Sequence, residues 1–251
     1  MSLPVSVEVL VLLFAVGGLA GFVDSIAGGG GLLTVPALLA AGLGPTASLA
    51  TNKVQSSFGA ASATLNYTRR GAVRPRDLAP AVATTFVGAA LGTMLVQQVD
   101  ADFLETLLPF LILGIALYFL LRPDAGAAER HARIGSGPFA ATAAPAIGFY
   151  DGFFGPGTGS FFALSFVTLR GHDLTRATAH TKVLNLTSNL AALLFFALGG
   201  APVWAVGLAM AVGQFAGARL GSNLVMARGS RIVRPLIVVV SVAISIRLLV
   251  T

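Results

Sequence analysis

Only two lysines occur in this chain, and they lie at matching positions of an internal repeat, each inside a long apolar segment. The sequence reads ATNKV around Lys53 and AHTKV around Lys182. The repeat also pairs Asp24 with Asp151, which end the matching motifs GFVD and GFYD. An ionisable residue within an apolar membrane-type segment is costly and is therefore usually functional. Two such residue types repeated in one frame predict a single site built between two halves of the chain.

The composition excludes an ordinary soluble domain. Hydrophobic residues make up 55% of the 251 residues, charged residues 10%, and the mean hydropathy is +0.85, whereas a soluble domain carries roughly a quarter charged residues. The chain has no cysteine, which excludes disulfides, thiolate metal sites and cysteine nucleophiles. Its three histidines are scattered, so we predict no metal site and no cofactor. These features predict an all-α polytopic membrane protein that forms one domain over residues 1–251.

The repeat divides the chain into two halves, about 5–122 and about 138–251, joined by a linker near 122–137. Each half contains five apolar segments. We place them near 5–26, 31–43, 46–68, 78–98 and 103–121, and near 138–153, 159–169, 175–198, 203–224 and 232–250. A helix needs about 20 apolar residues to cross a bilayer. The second segment of each half is shorter and follows a glycine-rich stretch, so we predict a broken or re-entrant half-helix there.

The charges of the connecting loops predict the orientation in the membrane. Arginines are concentrated in the loops near residues 69–76, 122–133, 170–176 and 228–234, whereas the loops near 97–105 and 199–203 contain neither lysine nor arginine. Because positively charged loops stay in the cytoplasm, ten segments place both termini outside. The two halves are then inverted with respect to each other, which is typical of secondary transporters. The net charge of +6 follows from these loops and does not indicate nucleic-acid binding.

These motifs carry a resemblance to a known family. The motif GFVDSIAGGGGLLTVP at residues 21–36 is followed by ATNK and by the RRG that ends at Gly71, and the second half carries GFYDGFFGPGTG at residues 148–159 and HTKVLNLTSN at 180–189. Over nearly its whole length the chain resembles the TauE/SafE family of sulfite and organosulfonate exporters. The resemblance implies a multi-pass transporter in a bacterial-type inner membrane, with sulfite or a sulfonate as substrate.

The two lysines are the leading candidates for substrate binding. We predict that Lys53 and Lys182 face a central cavity and attract an anion. Snorkelling to the membrane interface or a purely structural salt bridge would also accommodate a lysine in such a segment. A buried lysine, unlike arginine, can exchange a proton at useful pH values, so proton coupling is chemically available.

The glycine-rich stretches and the polar neighbours of the lysines complete the predicted substrate site. A helix that begins after a glycine turn points its free N–H groups at an anion. Close helix packing and interhelical hydrogen bonds are the structural alternatives for these residues. The predicted substrate-binding set, besides the lysines, is Thr51, Asn52, Gln55, Thr181, Asn185, Asn189, Gly30, Gly31, Gly157 and Thr158.

The two aspartates have two chemical interpretations. Asp24 and Asp151 could carry protons or pair with the lysines, or they could cap the short helices by accepting hydrogen bonds from free backbone N–H groups. Two aromatic residues, Tyr67 and Trp204, are predicted to anchor the protein at the membrane interface.

The predicted function is the export of a small anion by alternating access, with the lipid bilayer and the anion as partners. A passive anion channel, a transporter of small carboxylates and an intramembrane enzyme or lipid-handling protein are the alternatives. No Ser-His-Asp order, paired catalytic carboxylates or histidine metal motif is present, so we predict no enzymatic activity and no catalytic residues. Many small transporters dimerise, and a homodimer stays an open alternative because no interface is identifiable.

Overall fold

The computed structural model describes residues 5–104, 106–107, 110 and 132–229, and all regular elements within this part are helical. The first half contains α1 (Val7–Ala27), α2 (Gly30–Ala40), α3 (Pro45–Arg69), a 3-10 turn (Pro75–Leu78) and α4 (Ala79–Val96). The second contains α5 (Ser136–Ala141), α6 (Ala143–Phe153), α7 (Thr158–Thr168), α8 (Leu174–Leu198) and α9 (Trp204–Arg228). The predicted segment 232–250 lies outside the described residues, as do most of segment 103–121 and of the linker.

Local sequence signals set the ends of the long helices. The Ser6 hydroxyl accepts a hydrogen bond from the backbone N–H of Val9 at the start of α1, and Asp173 accepts one from Arg176 at the start of α8. Such N-caps satisfy backbone donors that have no partner inside the helix. Helix α3 begins with Pro45, whose fixed backbone angle suits the first helical position.

The distribution of polar and apolar residues is that of a membrane protein. Helices spanning Val7–Ala27, Pro75–Val96 and Leu174–Leu198 are long and apolar enough to cross a bilayer. Helix α3 is also 25 residues long but more polar, and it turns this polarity inward. Its Thr51, Lys53 and Gln55 are buried, while Phe58 is 44% exposed. Because lipid cannot satisfy polar groups, a polar interior and an apolar exterior identify a multi-pass membrane protein.

The two short helices predicted after the glycine-rich stretches are present. Helices α2 and α7 each contain eleven residues, which gives each a length of about 16 Å at 1.5 Å per residue. That is half of the roughly 30 Å of a hydrocarbon core. Neither helix can cross the bilayer alone, so their ends must be buried among the longer helices.

The apolar segment predicted near 138–153 is helical, but the helix is interrupted. The structure divides this region into α5 and α6, with a break at Thr142, whose φ and ψ are −124° and −73°. Pro145 causes the break because it has no N–H to donate to the carbonyl of Ala141 and its ring crowds that carbonyl. At the break, the carbonyl of Pro138 accepts two hydrogen bonds from Thr142, one from its N–H at 3.1 Å and one from its hydroxyl at 2.7 Å.

Two helix pairs join the halves of the chain through small residues. Helix α1 packs along α9, and α4 packs along α6. A Cβ atom on Gly217 of α9 would overlap the carbonyl oxygen of Gly18, and one on Gly152 of α6 would overlap that of Ala89. The glycines therefore let the helix backbones touch, as small residues do in membrane interfaces. Each contact unites one helix from either half, so the halves are interleaved.

Candidate functional site

The turns before the two short helices meet each other between the halves. Gly28 ends α1 in the left-handed conformation, with φ of +81°, and Gly157 precedes α7 with φ of +83°. A Cβ atom on Gly28 would overlap the backbone of Gly159. The Ser160 hydroxyl donates to the carbonyl of Ala27 at 2.6 Å. The predicted glycine turns thus form one contact, and Gly31 lies against Pro156 of the opposite turn.

Lys53 of the first half pairs with Asp151 of the second half. The Lys53 Nζ atom lies 2.8 Å from Asp151 Oδ1 and also donates to the Asp151 carbonyl oxygen. The exposed fractions of the two side chains are 1% and 2%. The Thr158 hydroxyl, at the first residue of α7, lies 3.0 Å from the same carboxylate oxygen. A lysine so deeply buried needs an anionic partner, and here the partner comes from the other half.

Lys182 of the second half pairs in the same way with Asp24 of the first half. Lys182 Nζ lies 2.8 Å from Asp24 Oδ2. The Lys182 side chain is fully buried, whereas that of Asp24 is 13% exposed. The N–H of Gly30, at the first residue of α2, donates to Asp24 Oδ1 at 3.4 Å. Each aspartate therefore contacts both a lysine of the other half and the start of the short helix in its own half.

Three buried polar atoms of Asp151 and of residues next to the lysines in sequence have no hydrogen-bond partner within the described part of the chain. These atoms are Asp151 Oδ2, Gln55 Oε1 and Thr181 Oγ1. Buried polar atoms are nearly always satisfied, so the unpaired Asp151 Oδ2 beside Lys53 indicates a place for a polar ligand or water. Gln55 and Thr181 belong to the predicted substrate-binding set and flank the two lysines in sequence.

Asn52 and Asn189, two of the other predicted residues, make hydrogen bonds of different kinds. Asn52 Oδ1 accepts hydrogen bonds from Thr34 of α2 at 2.6 Å and from the Gln55 amide at 3.0 Å, so it links α3 to a short helix beside Lys53. By contrast, the Asn189 amide donates within α8, to the carbonyl of Asn185 at 2.7 Å.

Thr51 serves a different contact from the one predicted. Its hydroxyl accepts a hydrogen bond from the backbone N–H of Val203 at 3.0 Å, just before α9. The contact joins the N-terminal part of α3 to the loop before α9.

Tyr67 lies elsewhere than the sequence predicts, and Gln214 is a buried polar residue that is not among the predicted site residues. Tyr67 is no interface anchor, because its side chain is fully buried and its hydroxyl donates to the carbonyl of Ser25 at 2.9 Å. Gln214 of α9 is buried against Gly59, and both atoms of its amide lack a partner among the described residues. An amide in the middle of the apolar segment 203–224 is the available signal for Gln214.

A histidine pair lies apart from the lysines, and it makes stability depend on pH. The His172 and His180 ring centroids are 4.6 Å apart, and His172 stacks on Phe166. Burial, and to a lesser extent the neighbouring His180, Arg176 and Arg170, lower the pKa of His172 from 6.5 to about 4. Below pH 6.5 the unfolded chain therefore gains a proton that the folded protein takes up only near pH 4.

We accordingly expect the melting temperature to fall as the pH drops from 6.5 towards 4. Substituting His172→Gln is expected to flatten this dependence, because the site no longer titrates. Thermal unfolding of the purified protein across this pH range measures the slope. Equal slopes for the wild type and the variant would contradict the assignment.

The described helices and their buried charges define a multi-pass membrane protein of the transporter class. The family model "Sulfite exporter TauE/SafE" matches residues 13–248, and the chain belongs to this family. It is 54% identical to "Probable membrane transporter protein YfcA" of Escherichia coli K12 over 98% of this chain and 91% of that protein. It is 51% identical to the Sinorhizobium "Probable membrane transporter protein ORF9", over 96% and 93% of the two chains. No solved structure matches.

Proposed function

We propose that this protein is a secondary transporter that exports a small anion, sulfite or an organosulfonate, by alternating access between two inverted halves. The observation that carries the proposal is the crossed pairing of Lys53 with Asp151 and of Lys182 with Asp24. Each pair bridges the halves, so a ligand that breaks a pair also alters the attraction between them. The positive charge of the arginine-rich loops supports a loading face in the cytoplasm of a bacterial-type cell.

A carboxylate beside a lysine occupies the position that a substrate anion would take. Sulfite and sulfonate oxygens accept the same charge-assisted hydrogen bonds from an ammonium group as a carboxylate does. Protonation of the aspartate removes its charge, and the lysine is then left to bind the incoming anion. Asp24 is the more exposed of the two carboxylates, so we propose that the Lys182–Asp24 pair opens first and that a proton moves with each exchange.

Ligand binding tests the proposal directly. We expect the melting temperature of the purified protein to rise selectively with one sulfur oxyanion or sulfonate from a panel of sulfite, sulfate, thiosulfate, sulfoacetate, taurine, acetate, oxalate and chloride. A ligand at 100 times its Kd stabilises the folded state by about 2.7 kcal/mol. The rise should vanish in the charge-neutral variant Lys182→Gln/Asp24→Asn, which removes the anion site and leaves no unpaired charge.

The ligand panel, together with a flux measurement, separates the alternative functions. A rise with acetate or oxalate alone would replace the sulfur substrate with a small carboxylate. Anion flux in proteoliposomes without proton coupling, together with large single-channel currents, would replace the transporter with a passive channel. Full stabilisation of the charge-neutral variant would remove the Lys182–Asp24 pair from the substrate site.

A further inference from the structure

A charged cavity lies away from the lysine pairs, where the arginine loops of the two halves come together. One cavity of about 440 Å³ is lined by residues 71–74, from the loop that follows α3, and by residues 173, 175 and 176, at the start of α8. We name this cavity the arginine vestibule; its polar side chains are Arg74, Asp77, Asp173, Thr175, Arg176 and His180. An adjoining cavity of about 120 Å³ shares Asp77, Arg176 and His180 with it and adds Arg170 and His172.

The guanidinium groups of the arginine vestibule are available to a ligand. Arg74 and Arg176 are exposed, and within the described part of the chain neither guanidinium group has a hydrogen bond or a carboxylate within 4.0 Å. Asp173 instead accepts a hydrogen bond from the backbone N–H of Arg176 at 2.9 Å. An arginine fork matches the oxygens of a sulfonate or sulfite two at a time. Thr175 adds a hydroxyl donor to the same cavity.

The corresponding place in the other half of the repeat is closed and uncharged. The offset that relates Lys53 to Lys182 also relates Arg74 to Val203 and Asp77 to Val206. In the other direction, it relates Arg176 to Ala47 and His180 to Thr51. The same offset relates two pairs of left-handed glycines, Gly42 with Gly171 and Gly71 with Gly200.

An apolar contact fills the counterpart of the vestibule. Thr51 accepts the hydrogen bond from the N–H of Val203, and Val203 and Leu43 pack against the cluster of Leu13, Leu38, Val206 and Met210. The repeat alone therefore does not produce a cavity, and the charges are particular to the arginine side. In the orientation that the arginine-rich loops predict, the open, charged side lies on the cytoplasmic face, from which an exporter takes its substrate.

We infer that the arginine vestibule is a loading site for a small oxyanion, from which the anion passes to Lys182. His180, which lines the vestibule, lies two residues before Lys182 on α8, about 3 Å away along the helix axis, although the two side chains project from different sides of that helix. The inference rests on the proposed function for the direction of transfer. The binding of an oxyanion by Arg74 and Arg176 stands on the cavity alone.

Transport kinetics test the loading role. In proteoliposomes supplied with sulfite on the arginine side, Arg74→Gln/Arg176→Gln is expected to raise KM roughly tenfold, with kcat within about twofold, because a recruiting contact is lost and the central site is intact. Arg69→Gln, which removes an exposed arginine of the same loop outside the cavity, should leave both constants unchanged. An unchanged KM in the double variant, or an equal rise in Arg69→Gln, would overturn the inference.

Chemical protection tests the site without any transport. Phenylglyoxal modifies arginines, and mass spectrometry reports the label at each position. Sulfoacetate is expected to protect Arg74 and Arg176 severalfold and to leave Arg69 unprotected, in the wild type and equally in Lys182→Gln/Asp24→Asn. Protection in both proteins with no transport of any anion would reject the proposed function and keep the vestibule as an anion site.

Two results of this labelling would reject the vestibule. Absence of protection by sulfoacetate is the first. Protection by micelles containing phosphatidylglycerol, with none by sulfoacetate, is the second, because it would identify a site for an anionic lipid headgroup.

Discussion

Substituting Lys53→Met is expected to destabilise the protein by about 3–5 kcal/mol, the usual effect of removing one partner of a buried ion pair. Asp151 would lose its ionic partner in a place where 2% of its side chain is exposed. Its Oδ2 atom already lacks a partner among the described residues. The Thr158 hydroxyl, 3.0 Å from Oδ1, cannot replace an ammonium group. Thermal unfolding in detergent and the yield of monodisperse protein measure the loss.

The double variant Lys53→Met/Asp151→Asn separates folding from function. Because it removes both charges, we expect it to recover most of the lost stability and still to transport no anion. Lys182→Met is the matched control, and it should cost less than Lys53→Met because Asp24 is 13% exposed and retains some water. Transport by the double variant at the wild-type rate would show that the Lys53–Asp151 pair is structural. Equal stability of wild type and Lys53→Met would contradict the burial argument itself.

The positions of the four charged residues could be predicted from the sequence, but their pairing could not. The repeat identifies Lys53 with Lys182 and Asp24 with Asp151 because both halves preserve the same spacing. Spacing along one half cannot show whether a lysine meets its own aspartate or that of the other half. The answer depends on how the glycine turns cross, and that is decided by the packing of helices far apart in the chain.

Departures from the predicted fold have local physical causes. The break at Thr142 follows from Pro145, which hydropathy does not register because proline can lie inside an apolar stretch. Tyr67 was predicted at the interface because tyrosine is common there, yet its hydroxyl finds the carbonyl of Ser25 inside the protein. Thr51 lies only two residues before Lys53, but it points at the loop before α9. Neighbours in sequence on a helix project in different directions.

The crossed pairing couples the two halves of the chain energetically. If each lysine met the aspartate of its own half, an anion could displace a carboxylate without altering the contact between halves. Because Lys53 binds Asp151 and Lys182 binds Asp24, every displacement removes an attraction across that contact. A ligand shifts a conformational equilibrium only through a difference in its interaction with the two states, and this arrangement would provide that difference at the proposed substrate site.

Substituting Gly28→Ala is expected to abolish correctly folded protein, because two separate requirements for glycine coincide at this position. The φ of +81° is a left-handed conformation that costs an L-residue with a side chain about 1–2 kcal/mol. The added methyl group would also overlap the backbone of Gly159 in the opposite turn. Backbone cannot move aside as a flexible side chain can, so the crossing of the turns, and with it the placement of Asp24, would be lost.

Gly42→Ala distinguishes the two requirements. Gly42 has the similar φ of +87°, but no atom lies within 4 Å of the position that its Cβ would take. This variant should therefore show only the conformational cost, a moderate loss of melting temperature with transport retained. Size-exclusion profiles and thermal unfolding of the two variants measure the difference. If both variants behaved alike, the contact between the turns would contribute nothing, and the charged pairs would have to be held in place by the long helices alone.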